Sequence, residues 1–408
     1  MHTELSRDHA AREDAQLGKA IIGSCVHCGF CLATCPTYQI LGNELDSPRG
    51  RIYLIKQLLE GAPASRVTAQ HLDRCLTCRA CETTCPSGVR YGALVDIGRQ
   101  LLDEQSPRAL RERLLRALLG ATLSRRGAFA AALRLGQLLR PVLPPRLAER
   151  IPPRARATRA PISQHPRRML ILQGCVQPAL APNINAAAAR VLARLGISLV
   201  NAPSEACCGA LSHHLGGTAR ARAQARRNIL TWTRALDAGA EALLMSASGC
   251  GVMVKDYAEL FRAEPEWQAR AARVSAATRD LSEVLSVADI AALVGNGARA
   301  ARCKIAWQSP CTLQHGQKLT GRVEPLLRAA GYTLTTVPDA HLCCGSAGTY
   351  SILQRELSVR LRNVKLATLQ SGAPQVIATA NIGCLQHLAA AAAVPVKHWI
   401  ELIDEAST

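Results

Sequence analysis

Seventeen cysteines in 408 residues constrain this chain more than any other feature. The number is odd, and residues 1–20 carry acidic side chains without the apolar run of a secretory signal peptide. A cytoplasmic chain keeps its thiols reduced, so the cysteines predict metal ligation and not a disulfide framework. No apolar stretch approaches the length of about 20 residues that a membrane-spanning helix needs, so no membrane span is expected.

Eight cysteines form two copies of one pattern, Cys-x2-Cys-x2-Cys-x3-Cys-Pro, at residues 25–36 and 75–86. Three closely spaced thiolates can wrap one side of an iron–sulfur cubane, and in proteins with two clusters the fourth cysteine ligates the other cluster. We therefore expect two [4Fe–4S] clusters. The first would be held by Cys25, Cys28, Cys31 and Cys85, and the second by Cys75, Cys78, Cys81 and Cys35.

Structural zinc and an uncrossed arrangement are the alternatives for these motifs. Zinc usually takes its four ligands as two separated pairs, which the cysteine triplets fit poorly. The 40 positions from Cys35 to Cys75 leave room for helices between the cluster loops, and residues 52–59 have helical apolar spacing. Arg49 and Arg51 precede that helix. They are expected to act on a nearby cluster or partner, or to lie in solvent.

Residues 107–168 are strongly basic, with fifteen arginines, no lysine, and Glu112 and Glu149 as the two acids. They carry +13 (15 − 2) of the chain's net charge of +19. Leucines and alanines predict basic amphipathic helices over 108–139, and the prolines at 141, 144, 145, 152, 153 and 161 predict a linker. Such a charge suits phosphates, anionic lipid or an acidic subunit, with a solvated face as the alternative. No nucleic acid is expected, because no recognition motif and few aromatic residues accompany the arginines.

Eight further cysteines form a duplicated unit in the rest of the chain. In each copy a cysteine is followed after 32 positions by Cys-Cys-Gly, and after a further 42 or 40 positions by a cysteine that follows glycine. The two sets are Cys175, Cys207, Cys208 and Cys250, and Cys311, Cys343, Cys344 and Cys384. These are candidate sites for a further iron–sulfur cluster or zinc, with inherited cysteines that bind nothing as the alternative.

Strands and helices alternate around these cysteines, which predicts α/β units with parallel sheets. The first unit has predicted strands at 169–172, 197–200 and 242–245 and a helix at 186–195. The second has predicted strands at 304–307, 332–337 and 376–379 and a helix at 323–330. Every cysteine of the two sets then follows the carboxyl end of a strand, where open α/β sheets bind their ligands.

These segments predict an α+β multidomain chain. Its parts are an N-terminal α-helical ferredoxin domain at 1–105, a basic helical and proline-rich linker at 106–166, and tandem CCG domains with parallel sheets at 167–300 and 301–408.

The sequences around the ferredoxin cysteines are distinctive. They read Cys-Gly-Phe-Cys-x3-Cys-Pro-Thr-Tyr at 28–38, Pro-Arg-Gly-Arg-Ile-Tyr-Leu-Ile-Lys at 48–56, and His-Leu-Asp-Arg-Cys-Leu-Thr-Cys at 71–78. With the tandem CCG units and the total length, they resemble the iron–sulfur subunit of bacterial glycolate oxidase over nearly the whole chain.

The resemblance implies an electron-transfer subunit without catalytic residues of its own. FAD would lie on partner subunits that oxidise glycolate to glyoxylate, and not on this chain. Electrons would pass through the [4Fe–4S] clusters to an acceptor, expected to be membrane quinone. The implied location is cytoplasmic and peripheral, on the inner face of the cell membrane.

Related proteins share the motifs and supply the alternatives. They include iron–sulfur subunits of other flavin-dependent dehydrogenases, acting on lactate or glycerol-3-phosphate, and heterodisulfide reductase subunits. In the latter the CCG unit closes with Cys-x-x-Cys, whereas here Met253 and His387 stand at the last position. The missing fifth cysteine argues against a disulfide-cleaving cluster, and a CCG-type disulfide reductase is kept as an alternative function.

Overall fold

A helical domain precedes two parallel sheets along the chain. The computed structural model describes residues 1–106, 108–149, 151–160, 164–295 and 302–408.

The N-terminal helices surround the two ferredoxin loops. They are α1 (Glu13–Gly23), α2 (Phe30–Ala33), α3 (Pro36–Leu41), α4 (Pro48–Leu59), α5 (Arg66–Asp73), α6 (Ala80–Thr84) and α7 (Tyr91–Gln105). The predicted helix at 52–59 is α4. It begins earlier than predicted because Ser47 accepts a hydrogen bond from the Gly50 N–H and Pro48 suits the first turn. Leucines and isoleucines of α1, α4 and α7 form the domain core.

The basic segment is helical, as predicted. It forms α8 (Leu110–Leu123), α9 (Arg126–Leu139) and the short α10 (Pro145–Ala148). α8 and α9 pack against each other. Within the described part of this segment, the two longer helices bury almost nothing: α9 has no buried residue, and α8 has only Gly120.

The first α/β unit has the parallel strand order β2-β1-β3-β4. Its strands are β1 (Arg167–Ile171), β2 (Ile197–Val200), β3 (Leu243–Met245) and β4 (Thr278–Asp280). Its helices are α11 (Gln177–Leu180), α12 (Asn183–Arg194), α13 (Ala210–His214), α14 (Thr218–Asp237), α15 (Ser248–Lys255), α16 (Tyr257–Leu260), α17 (Pro265–Ala277), α18 (Leu281–Val284) and α19 (Val287–Val294). α8 contacts α13, and α9 contacts α11, so the basic helices lie on this unit.

The second unit repeats this topology, with the parallel order β6-β5-β7-β8. Its strands are β5 (Lys304–Gln308), β6 (Thr333–Leu334), β7 (Val376–Thr379) and β8 (Val396–His398). Its helices are α20 (Val323–Ala329), α21 (Tyr350–Leu353), α22 (Arg355–Gln370), α23 (Ile382–Ala389) and α24 (Trp399–Ala406), and a π-helical turn spans Thr312–Gly316.

Two details of the sheets differ from the prediction. The strand predicted at 332–337 is reduced to Thr333–Leu334, and Pro338, which lacks an N–H, follows it closely. Each sheet also has a fourth strand, β4 or β8, that was not predicted. These strands have three residues each, too few to show an alternating pattern.

The two α/β units share one hydrophobic core. Ile184 and Leu192 of α12 belong to the same buried cluster as Trp399 and Ile403 of α24. An ion pair of 2.6 Å between Arg190 and Asp404 lies at this junction. The two sheets are therefore held in a fixed relation, which also fixes the relation between their cysteine-bearing edges.

The predicted boundary at 300/301 lies outside the described residues. α7 ends at Gln105 and β1 begins at Arg167, and we propose that the other two domain boundaries lie there.

Candidate metal centres

The two ferredoxin loops have the same backbone conformation. His27 and Gly29 have φ angles of 55° and 85°, and the matching residues Thr77 and Arg79 have 52° and 60°. Left-handed backbone is costly for a residue with a side chain such as arginine. A 2.6 Å ion pair with Asp256 of the first α/β unit holds the Arg79 side chain. The sequence repeat is thus also a repeat of backbone shape.

The first cysteine group crosses between the two motifs. A cavity that opens to solvent is lined by Cys25, Cys28 and Cys31 of the first loop together with Cys81 and Cys85 of the second. Cys28 is exposed, whereas Cys25, Cys31 and Cys85 are half-buried. Burial, with Cys25 nearby, raises the pKa of the Cys31 thiol to about 11. A cationic iron core at the cavity would favour the thiolate instead.

The second group is enclosed by protein. Cys35, Cys75 and Cys81 are buried, and burial raises the pKa of Cys81 well above its ordinary value. The thiols of Cys78, Cys75 and Cys35 raise the pKa of Cys81 further, as does Glu82, so the last cysteine of the first motif lies among the thiols of the second. The Tyr91 hydroxyl donates to Cys75 Sγ at 3.6 Å. These four thiols are the donor set that a second cubane requires.

A buried arginine lies beside the second group. Arg51 is 1% exposed, and its Nη1 lies 4.0 Å from Cys35 Sγ. Its Nε donates to the His71 carbonyl at 2.7 Å, and its Nη2 donates to Thr37 Oγ1 at 3.1 Å. The sequence left its role open between a cluster contact and a solvated position. The structure places it in the protein interior.

The carboxylate of Asp46 completes this network and is fully buried. It lies 3.4 Å from Arg51, 2.9 Å from Arg74 and 3.0 Å from His71 Nδ1. Asp46 and Arg51 carry opposite charges and make further hydrogen bonds, and such a pair can be buried without contact with water. Arg49 behaves differently: it is partly exposed, pairs with Glu44 at 2.7 Å and lines the first cavity.

Each predicted CCG set is brought together as a row of thiols. In the first unit Cys207 accepts hydrogen bonds from Cys175 and Cys208, and Cys208 also contacts Cys250. The two hydrogen bonds to Cys207 lower the pKa of its thiol.

The second unit has the same row of four sulfurs. Cys311 and Cys343 lie 3.7 Å apart, and Cys344 and Cys384 lie 3.3 Å apart. Cys343 and Cys344 also contact each other through their side chains. Cys303 belongs to neither row and packs, partly buried, against the shared core.

The glycine of each Cys-Cys-Gly tripeptide has a steric reason. Gly345 has a φ of +87°, and a Cβ there would lie 2.7 Å from the Ser358 carbonyl of α22. Gly209 has a φ of +95°, and a Cβ there would lie 3.3 Å from the Ala221 carbonyl of α14. Left-handed backbone and a close helix together favour glycine.

A single metal ion draws its ligands close together, whereas the core of a cubane holds its four thiolates apart. Over the ranges that the structure describes, no three His, Cys, Asp or Glu side chains converge as the ligands of one ion would.

The second ferredoxin loop touches the cysteine row of the second α/β unit. Cys78 is an electrostatic neighbour of Cys311 and Cys343. His315 joins the two sides: its Nδ1 lies 2.9 Å from Thr83 Oγ1 in the ferredoxin loop, and its Nε2 lies 3.0 Å from the His341 carbonyl. No local sequence pattern indicates this contact, because it joins residues more than 200 positions apart.

The first α/β unit meets the ferredoxin domain through charges. Arg79 pairs with Asp256, and Asp96 pairs with His213 at 3.2 Å. The Asp96 carboxylate raises the pKa of His213, although burial opposes the effect.

Comparison with known protein families matches three segments of the chain. Residues 21–89 match the 4Fe-4S dicluster domain, and residues 169–255 and 305–389 each match the cysteine-rich domain named CCG. The chain is 49% identical over 407 residues to the glycolate oxidase iron-sulfur subunit of Escherichia coli (strain K12), covering 100% of this chain and 99% of that protein. The chain belongs to this family.

More distant relatives agree. A probable glycolate oxidase iron-sulfur subunit of Bacillus subtilis (strain 168) is 32% identical over 394 residues, which cover 89% of this chain and 87% of the relative. Lactate utilization protein A of Bacillus licheniformis is 27% identical over 219 residues, 52% of this chain. As a glycolate oxidase iron–sulfur subunit family member, the chain is an iron–sulfur electron-transfer subunit of an oxidoreductase. Across the described ranges, every helix falls short of the length and apolarity needed to cross a bilayer.

Proposed function

We propose that this chain carries electrons in a complex that oxidises glycolate to glyoxylate. A FAD-bearing partner performs the oxidation, and this chain accepts the electrons one at a time and delivers them to a quinone of the membrane. Full-length similarity to a protein named for glycolate oxidase supports the substrate. Relatives named for lactate utilization align with about half of this chain, so lactate is the weaker candidate.

The observation that carries the proposal is that cysteines of both motifs line one cavity, with Cys81 and Cys85 of the second motif beside those of the first. The cavity lined by Cys25, Cys28 and Cys31 includes Cys85 of the other motif. We assign these four thiols to one [4Fe–4S] cluster. Cys75, Cys78, Cys81 and Cys35 are assigned to the second. Such clusters supply one-electron transfer, which complements the two-electron chemistry of flavin.

The surrounding residues have separate tasks in this proposal. The buried Arg51 offsets the negative charge of the second thiolate group, and Tyr91 orients Cys75 by its hydrogen bond. The first group opens to solvent at Cys28, beside the exposed side chains of Val26 and Phe30. We place electron exchange with the partner at this exposed group, because transfer between proteins needs close approach.

We also propose that the CCG rows hold a further iron–sulfur cluster, with a zinc ion as the alternative. The second row, Cys311, Cys343, Cys344 and Cys384, is the better supported, because it lies beside Cys78. Iron, sulfide and zinc per chain distinguish the cases. About eight irons correspond to the two ferredoxin clusters alone, and about twelve correspond to a third cluster.

The crossed ligation is tested by Cys35→Ser and Cys85→Ser in the anaerobically purified chain. Cys35→Ser should change the electron paramagnetic resonance signal of the cluster on Cys75, Cys78 and Cys81, and Cys85→Ser that of the other cluster. Cys303→Ser, outside all four groups, is the matched control and should leave both signals unchanged. The reverse assignment of the two losses would refute the crossing.

The substrate is tested in the complex with the flavoprotein partner. Glycolate should reduce the clusters without added dithionite, and this chain alone should not oxidise glycolate. Cluster reduction by lactate or glycerol-3-phosphate, with none by glycolate, would show that the protein is a subunit of a different dehydrogenase.

A further inference from the structure

The basic helices α8 and α9 leave their apolar side chains in solvent. On α8, Leu110, Leu114 and Leu118 recur every fourth residue and are 61–68% exposed. On α9, Leu135 and Leu138 are 58% and 77% exposed, and Val142 just beyond is 78% exposed. Residues three or four apart share one face of a helix, so each helix carries an apolar stripe.

These stripes are not used for folding in the described chain. Each helix has 14 residues, and Gly120 is the single buried residue of the pair. Helices of about this length are marginal in water unless an apolar face packs on another surface. The structure therefore presents two amphipathic helices whose apolar faces lack a covering surface within the described residues.

The same segment carries positive charge that the protein leaves unneutralised. Arg108 and Arg116 are paired with Asp73 and Glu112. Of the exposed arginines, Arg126 pairs with Glu205 at 2.8 Å. The others form no ion pair within the described ranges; they are Arg111, Arg113, Arg125, Arg134, Arg140, Arg154, Arg156 and Arg159. Unpaired arginines therefore accompany both leucine stripes.

We infer that α8 and α9 are the surface by which this chain binds anionic lipid. Exposed leucines enter the acyl boundary of a bilayer, and arginines bind phosphate headgroups. A protein partner is the less suitable occupant, because protein interfaces are enriched in Trp and Tyr together with Arg, and this surface has the arginines without those aromatic residues. Residues 108–160 contain neither, and their one phenylalanine, Phe129, is half-buried. The inference deepens the peripheral membrane location in the proposed function and names the surface responsible.

Vesicle sedimentation of the full holoprotein tests this surface without substrate or partner, so its outcome is separate from that of the glycolate assay. The probes are vesicles of 30% phosphatidylglycerol in phosphatidylcholine, and of phosphatidylcholine alone. We expect binding to the anionic vesicles that weakens as salt is raised. Each basic side chain near an anionic surface strengthens binding about fivefold.

Two double variants separate charge from apolar contact. Arg111→Gln with Arg113→Gln should weaken binding about 25-fold. Leu114→Gln with Leu118→Gln should weaken it at least tenfold, because both leucines lose their burial in lipid. All four side chains lie outside the core, so melting temperature and iron content should not change. The matched control is Ile352→Gln with Arg355→Gln, an exposed pair away from the helices, which should bind like the wild type.

Equal vesicle binding by the wild type and both helix variants would overturn the inference, as would no binding by the wild type. Helix-dependent binding of the purified flavoprotein partner, without vesicle binding, would assign the surface to protein and also overturn it.

Discussion

Replacing Arg51 by glutamine should lower the reduction potential of the second ferredoxin cluster. The guanidinium is a buried positive charge whose Nη1 lies 4.0 Å from Cys35 Sγ. Burial disfavours that charge, but the neighbouring Tyr91, Cys75, Cys35 and Asp46 outweigh it and raise the pKa of Arg51. Its charge is therefore permanent. A positive charge favours the more negative, reduced state, so its removal favours the oxidised state.

The size of the shift follows from Coulomb's law. Two unit charges at this separation interact by about 4 kcal/mol at an effective dielectric constant of about 20. For one electron, that energy corresponds to about 170 mV. Cys35 is one of four ligands in the proposed set, and an added electron is shared among them. We therefore expect a fall of about 40–90 mV, a quarter to a half of the full Coulomb value.

Redox titration monitored by electron paramagnetic resonance measures the potential. Arg51→Lys keeps the charge and should stay near the wild-type value, whereas Asp46→Asn removes a negative charge and should raise the potential. Lys56→Gln, a partly exposed position on the same helix whose side chain pairs with Glu60, is the control. A purely structural role for Arg51 would move the glutamine and asparagine variants in the same direction. That result would refute the electrostatic reasoning, as would an unchanged potential in Arg51→Gln.

Two further predictions concern stability. Gly345→Ala should cost about 3 kcal/mol or more, because the new Cβ would lie 2.7 Å from the Ser358 carbonyl, whereas Gly321→Ala, with a φ of +75° and open space, should cost about 1 kcal/mol. Equal midpoints in denaturant for the two variants would contradict the steric argument. His398 is fully buried, and its Nε2 lies 2.9 Å from the Ser246 carbonyl. Burial lowers the pKa of His398 to about 4. The contribution of its neutral ring to the free energy of unfolding is therefore complete above the unfolded pKa of about 6.5. That contribution, at most about 3 kcal/mol, is lost as pH falls toward 4. His398→Gln should therefore show a smaller loss of unfolding free energy over that pH range, and parallel losses would show that another group is responsible.

Local sequence patterns predicted the parts of the site that depend on local structure. The spacing of each ferredoxin motif corresponds to one loop conformation, with left-handed backbone at the same two positions. The convergence of the CCG cysteines followed from a topological rule, because the carboxyl ends of parallel strands lie on one edge of a sheet. This prediction depends on the order of the strands along the chain and not on their exact lengths. The shortening of β6 to two residues therefore left the second row of thiols intact.

The burial of Arg51 could not be predicted in the same way. An arginine at the start of a helix is usually solvated, and its position depends on partners from other segments. Asp46 precedes the helix, and His71 belongs to α5. One local signal was present in Gly50: a Cβ at that position would overlap the Glu44 carbonyl, so the Pro-Arg-Gly-Arg segment packs tightly against the preceding turn.

The duplicated cysteine motif is placed in two different environments, and this difference determines what each cluster site can do. At the first site Cys28 is exposed, so water screens nearby charges and a docking partner can change the surroundings of the site. At the second site Cys35, Cys75 and Cys81 are buried beside a fixed charge network and the second CCG row. Charges act more strongly where water is excluded. The potential of the second site should therefore be set by this chain alone, and that of the first by the complex it forms.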